Sequence, residues 1–290
     1  MFTPEYEKLK SDNIQLVYTV FDGFQLNGNF LELLSLLGVD LKLLNPIEKA
    51  TKFKKLYIPD DSFFQKGRHR YYTEEFKSLL NRIPKLDGIS KYDKVYFTRT
   101  AFSGADYGEK DVAKFFKKLG YKIIAPEKLS FKEQLSILSN CNTFASTEGS
   151  IAHNSLFLKE NSTLIVIRKA DYINSYQFPI NELKNLKVTY IDAHLSIFNH
   201  QNQPWVGPFF MYVNDNMQRF SSSNSYLNSF KLKEFMAYTK DAFLLEMQER
   251  RSADMFYYNK LKTEILNLGR NKYKKLANKI CPNLFPWKVR

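Results

Sequence analysis

Cysteine is nearly missing from this chain: its 290 residues include two, Cys141 and Cys281, far apart and without the spacing of a metal site. No disulfide framework follows from such a pair, and a reducing compartment fits it best. Long apolar runs are missing too, the longest falling well short of the roughly 18 residues that a membrane-spanning helix needs. The opening residues, MFTPEYEKLKSDN, are polar and carry acids, which excludes a signal peptide there. There is no internal repeat, and the one low-complexity patch, Ser221–Ser225, has the composition of a linker. These absences together lead us to expect a soluble, cytoplasmic protein, with a peripheral position on the inner face of the plasma membrane as the variant.

What is present is an apolar share of 44%, enough to bury a real core. Aromatic residues reach 16%, mostly Phe and Tyr; such rings serve a core first and a sugar- or base-stacking surface second. Basic residues outnumber acids 43 to 30, a net charge of +13. That charge suits an anionic partner such as a nucleotide diphosphate, a polyanionic glycan or a lipid surface, and it equally suits a lysine-rich solvated surface.

The stretch from Lys94 to Ile167 alternates between strand and helix signals. Lys94–Thr98 has the character of a buried strand ending at Arg99, followed by a loop with Gly104 and Gly108. Glu109–Leu119 has helical spacing, with Val112, Phe115, Phe116 and Leu119 on one face, and Gly120 stands where a C-terminal cap belongs. Tyr121–Ala125 is the next strand, stopped by Pro126. Ser130 and Glu133 form a capping box that starts a helix to about Ser139. Asn142–Ser146 is a short strand, Gly149-Ser150 opens a further helix through Leu158, and Thr163–Ile167 is the fourth strand. This order predicts an α/β fold with a parallel sheet covered on both faces. Ligands of such sheets bind beyond the carboxyl ends of the strands, which singles out Arg99, Pro126–Ser130 and Thr147–Ser150.

Before this region, residues 1–90 suggest a small α/β lobe: strands at Ile14–Val20 and Lys55–Ile58 and a helix at Phe30–Leu37. After it, Phe230–Leu268 is helical in character. From Gly269 to Arg290 the chain carries Arg270, Lys272, Lys274, Lys275, Lys279, Lys288 and Arg290 with no acid, interleaved with apolar residues such as Trp287. This tail has three readings: a solvated helix packed on the rest, a peripheral anchor on an anionic membrane surface, or nucleic-acid binding. No nucleic-acid module is visible, and no nucleic-acid partner is expected.

The segment Lys94–Phe157 resembles the family 61 glycosyltransferases. The features that carry the resemblance are Arg99, Glu109, Gly120, Pro126-Glu127, Leu129-Ser130, Glu133-Gln134, Gly149-Ser150 and Asn154, in that order. The later run YINSYQFPIN and the YID at Tyr190–Asp192 resemble the bacterial branch of capsule and surface-polysaccharide enzymes. The resemblance implies a GT-B-like arrangement: an acceptor-side lobe over 1–90, a Rossmann-type nucleotide-sugar-binding domain over 91–220, and a helical basic extension over 221–290. It also implies inverting transfer of a sugar to a bacterial surface glycan or a lipid-linked precursor. The chain departs from the family at two places. Glu148 stands where many members have His before the turn glycine, and a Gly-His-Phe-like helix motif of the usual, longer N-terminal lobe is not found. These departures motivate an alternative, a non-catalytic glycan- or membrane-binding scaffold derived from a transferase.

Glycosyl transfer needs a stabilised leaving diphosphate and a base for the acceptor hydroxyl. No Asp-x-Asp metal motif occurs; Asp60-Asp61 are adjacent, and Asn214-Asp215-Asn216 is a weak turn-like candidate. Neither a metal nor another cofactor is therefore expected, and fixed cations and backbone amides must stabilise the diphosphate. Arg99 is the leading candidate, because its fork matches phosphate oxygens; the competing role is an ion pair with Glu109 or Asp106. Thr147, Gly149 and Ser150 offer a close backbone approach and a helix N-terminus, or Ser150 is a plain N-cap. Lys128, Leu129 and Ser130 border the expected nucleoside position. Glu133 closes the capping box and could also bond the ribose, while Asn154 braces the turn or touches the donor. Candidates for the base are Glu148, His153, Asp22 and His69, with Glu148 preferred and His153 open to a structural role.

Overall fold

The structure, a computed structural model, describes residues 14–19, 26, 28–58, 61–66, 69–83, 92–100, 106–196, 207–222 and 229–267. Asp22, Asp60, the loop with Gly104, residues 223–228 and the basic stretch 269–290 lie outside the described residues, as does the side chain of His69.

The N-terminal part holds strand β1 (Leu16–Thr19), helix α1 (Gly28–Leu36) and strand β2 (Leu44–Ile47), with β1 and β2 paired in parallel. Strands β3 (Phe63–Lys66) and β4 (His69–Tyr72) form an antiparallel hairpin that leads into helix α2 (Glu74–Leu80). The expected strand at Lys55–Ile58 is not formed. Leu56, Tyr57 and Ile58 are 50%, 48% and 82% exposed, so the apolar run buries no face against the described residues. The hairpin forms instead where alternating aromatic residues meet across two strands, Phe63 opposite Tyr72 and Phe64 opposite Tyr71.

Strand β5 (Lys94–Phe97) begins the main sheet. A short strand β6 (Asp106–Tyr107) and helix α3 (Glu109–Lys118) follow, then β7 (Lys122–Ile124), α4 (Phe131–Asn140), β8 (Thr143–Thr147), a 3-10 turn (Ala152–Phe157), β9 (Thr163–Arg168), α5 (Gln177–Leu183) and β10 (Lys187–Asp192). Five strands pair in parallel in the order β10-β9-β8-β5-β7. Both faces are covered. Tyr96, Ala145, Ile165 and Ile167 pack with α3 residues on one side, while Val95, Phe97, Phe144, Leu164 and Val166 pack with α4 residues on the other. Burial on alternate faces explains why these strands read as continuous apolar runs.

Local signals in this region act as expected. Gly120 has φ +83°; its amide donates to Lys117 O, and the Tyr121 amide donates to Phe116 O, both at 3.1 Å. That is the paired bonding of a Schellman cap, closed by the rings of Phe116 and Tyr121 at 5.0 Å. The Ser130 hydroxyl accepts from the Glu133 amide and the Glu133 carboxylate accepts from the Ser130 amide, a complete capping box.

The helix expected from Gly149 to Leu158 is instead the short 3-10 turn Ala152–Phe157. Its bonds run from Ala152 N to Gly149 O and from Asn154 N to Ile151 O. The Asn154 side-chain amide also donates to Ile151 O at 3.1 Å, competing for the carbonyl that an α-helix would use. The turn therefore presents no α-helical N-terminus or dipole. Ile151 holds the cap position without a side-chain bond, so Ser150, which is exposed, is not an N-cap.

Beyond β10, strand β11 (Phe209–Phe210) pairs in parallel with β6. Helix α6 (Asp215–Phe220) is capped by the Asn214 side chain, which accepts from Met217 N at 3.2 Å. The Asn214 and Asn216 amides donate to Asp192 O. Asn214-Asp215-Asn216 is thus a helix start and not a metal-ligand loop. Helix α7 (Leu232–Asn267) buries Tyr238 and Ala242 against Phe210. Among the described residues no helix is long and apolar enough to cross a membrane.

Candidate functional site

In the five-stranded sheet the chain leaves β5 for β7 on one side and returns to β8 on the other. The carboxyl ends of β5 and β8 therefore flank a topological switch point, the crevice in which doubly wound sheets bind ligands. Thr98, Arg99 and Thr100 follow β5 there, and Glu148, Gly149 and Ser150 follow β8.

Arg99 is held from two directions. Glu109, 1% exposed at the start of α3, accepts from the Arg99 amide at 2.7 Å, from the Thr98 hydroxyl at 3.0 Å and from the Tyr96 hydroxyl at 3.3 Å, all through Oε1. The guanidinium Nε lies 3.2 Å from Asp106 Oδ2, and Lys169 Nζ lies 3.6 Å from Asp106 Oδ1. Both partners weighed for Arg99 are thus engaged, Glu109 by its amide and Asp106 by its side chain. About a quarter of the Arg99 side chain (26%) stays exposed, so the ion pairs orient the fork without hiding it. Lys169 is 5% exposed and sits 4.2 Å above the Phe209 ring. Burial pulls its ammonium below the ordinary lysine range, an effect that Asp106 opposes.

Glu109 also carries a pH consequence. Burial raises its carboxyl above the ordinary value, against the Arg99 amide, and the nearby Asp106 adds to the rise. A raised carboxyl pKa contributes stability below the unfolded value, and that contribution is lost as pH rises through the folded value. Glu109→Gln keeps an acceptor for the Arg99 amide and has no proton to lose. Its stability relative to the unsubstituted protein should improve as the buffer moves from pH 4 to pH 7, measured as urea midpoints. A difference that stays constant with pH would contradict the assignment.

Glu148 is 6% exposed and accepts from the Asn174 amide at 2.7 Å. Burial raises its carboxyl, opposed by that amide and by Arg168, Lys169 and His194 nearby. Arg168 Nη1 donates to Asp192 Oδ1 at 2.5 Å, and its Nη2 donates to Ala170 O and Asp171 O. His194 Nε2 lies 3.0 Å from Asp171 Oδ1. Buried polar atoms without a hydrogen bond occur at this edge: Glu109 Oε2, Thr147 Oγ1, Arg168 Nε and His194 Nδ1, while the Asp106 oxygens are held by the ion pairs with Arg99 and Lys169 alone. Buried polar atoms are nearly always bonded, so this edge of the sheet is where the fold leaves hydrogen-bonding capacity unused.

Lys128, Leu129 and Ser130 follow β7, the strand beside β5; Lys128 and Ser130 are exposed. The Glu133 carboxyl is held below its ordinary range by the Ser130 hydroxyl and amide. Asn154 braces its own turn through Ile151 O. His153 Nε2 is buried without a partner, and burial lowers its pKa. Asp22 and the His69 side chain are outside the described residues. Sequence reasoning missed Lys169, Arg168, Asp171 and His194, which converge from β9, its following loop and β10. It also missed Glu32 of α1, whose two carboxylate oxygens accept from the Phe131 and Lys132 amides at 3.3 Å. That contact docks the small lobe onto the start of α4 beside the capping box. Among the described residues no group of three or more His, Cys, Asp or Glu could hold a metal ion.

The family model described as Glycosyltransferase 61 matches residues 1–165, more than half of the chain, and the match includes Arg99, Glu109, Glu148 and Gly149. No curated protein matches the chain. Lys169, Asp171 and His194 lie C-terminal to the matched residues. With more than half of its length matched by that family model, this chain belongs to the glycosyltransferase 61 family.

Proposed function

We propose that the protein moves a sugar from a nucleotide-sugar donor to a glycan or lipid-linked acceptor of a bacterial surface polysaccharide, with inversion and without a metal. The observation that carries this reading is Arg99, held just beyond the carboxyl end of β5 by Asp106 and by the Glu109 clamp on its amide, with part of its side chain exposed. In this reading the sheet is the donor half of a GT-B-like pair, and the lobe over 1–90 is the acceptor side. The donor diphosphate lies between Arg99 and the Thr147–Ser150 turn, with Gly149 (φ +116°, no heavy atom within 4 Å of an added Cβ) admitting it closely. The nucleoside lies over Lys128–Ser130, with Glu133 near the ribose and Asn154 bracing the turn. The acceptor hydroxyl oxygen bonds to the anomeric carbon from the face opposite the diphosphate. The carbon–oxygen bond to the diphosphate breaks with its electron pair, and Arg99 stabilises the charge that builds there.

Calorimetric titration with UDP, GDP, CDP and ADP tests the reading directly. Binding of one nucleoside diphosphate at micromolar concentration is the expected result. Folded protein that binds none of the four would sink it.

A further inference from the structure

We propose that His194, oriented by Asp171, is the base that takes the proton from the acceptor hydroxyl, an inference that rests on the glycosyl-transfer reading above. His194 follows the carboxyl end of β10, two strands from β8 on the same edge as Glu148. Its backbone is fixed on both sides: Tyr212 N donates to Ala193 O at 3.0 Å, and Leu195 N donates to Phe210 O at 3.1 Å. The side chain is 9% exposed. A carboxylate can only accept, so the ring nitrogen facing Asp171, Nε2, carries the hydrogen. In the neutral ring the other nitrogen, Nδ1, then holds the lone pair. Nδ1 is buried and makes no hydrogen bond. A ring oriented through one nitrogen by a carboxylate, with the second unbonded, has the orientation that general-base catalysis uses; because Nδ1 is covered by protein, the acceptor has to displace part of that cover to reach it.

Asp171 is itself positioned. The Arg168 guanidinium donates to the Asp171 carbonyl at 2.9 Å while gripping Asp192 with its other nitrogen. The same loop reaches Glu148 through the Asn174 amide. This gives Glu148 a different role from the one its place in the sequence suggests. Its carboxylate anchors the 171–174 loop, and the loop delivers Asp171 to His194. His153 lacks an orienting carboxylate; burial is the influence on its ring. In the step itself, the acceptor O–H gives its proton to Nδ1 as its oxygen bonds to the anomeric carbon and the diphosphate leaves with the electron pair. The resulting imidazolium is offset by Asp171.

The test uses the full chain, with UDP, GDP, CDP and ADP binding measured by calorimetry. Release of nucleoside diphosphate is followed from UDP-glucose, UDP-N-acetylglucosamine and GDP-mannose, with water or added oligosaccharides as acceptor. His194→Ala should bind the nucleoside diphosphate within about twofold of the unsubstituted protein and lose at least about 100-fold in turnover. Added imidazole should restore part of that loss, which a merely structural role would not allow. Asp171 is exposed, so Asp171→Asn keeps the fold and should lower kcat with little change in donor KM, even if His194→Ala folds poorly. Unchanged turnover in both variants, or a loss in His194→Ala that imidazole leaves untouched, overturns the assignment. Folded, unsubstituted protein that binds none of the four nucleotides overturns the glycosyl-transfer reading itself, whatever the variants do.

Discussion

Arg99→Ala should weaken binding of a nucleoside diphosphate by about 30-fold while leaving the bare nucleoside within about twofold. The size follows from what the side chain does. A hydrogen bond to a charged group is worth roughly 1.5–3 kcal/mol, and about 2 kcal/mol corresponds to about 30-fold in affinity. The asymmetry follows from place, because Arg99 stands beyond β5 at the switch point whereas Lys128–Ser130 stand beyond β7. Removing Arg99 also leaves Asp106, whose side chain is 6% exposed, with Lys169 as its remaining cation. Some loss of stability is therefore expected, and thermal unfolding has to accompany the titrations. Arg99→Lys separates the two effects. It keeps a charge near Asp106 but loses the planar fork, so it should recover stability more fully than diphosphate affinity. Equal weakening of diphosphate and nucleoside by Arg99→Ala would show that Arg99 does not touch the diphosphate.

Gly108→Ala is expected to be strongly destabilising, at roughly 3 kcal/mol or more. Gly108 lies between β6 and α3 with φ +79°, and an added Cβ would stand 1.8 Å from the backbone oxygen of Met211. Neither partner can give way easily. Met211 N donates to Tyr107 O at 2.9 Å, and the β6–β11 pairing fixes both segments. Gly108 also precedes Glu109, so the clamp on the Arg99 amide should be lost with the fold. Gly149→Ala is the informative control. It meets a positive φ of +116° but nothing within 4 Å, so backbone strain alone applies, about 1–2 kcal/mol. Urea unfolding of the two variants reads the difference directly. Similar midpoints for both would mean that the Met211 contact is not what constrains Gly108.

The two glycines differ in what the local sequence says of them. Gly149 is a candidate from its place after a strand, and nothing lies within 4 Å of an added Cβ there. Gly108 was one glycine in a loop, and nothing local marks it as touching Met211, a residue far along the chain. The same division runs through the candidate site. Arg99 was legible because a buried strand ends just before it. His194 and Lys169 were not, since each is a lone residue after a strand whose neighbours in the sheet are set by tertiary pairing. Asp106 and Glu109 were legible as partners for Arg99, but not the use of Glu109 to hold the Arg99 backbone.

By itself, then, the sequence determined the elements of the α/β body: the buried strands, the Schellman cap at Gly120 and the capping box of Ser130 and Glu133. Each is written in residues within a few positions of one another, where hydrophobic period and hydrogen-bond geometry act locally. Tertiary structure alone decided the strand order that makes β5 and β8 flank a crevice. It also decided the failure of Lys55–Ile58 to form a strand and the meeting of Glu32 with α4. These outcomes depend on which distant surface is available to bury a side chain or accept a bond, and a chain read in order holds no local record of that.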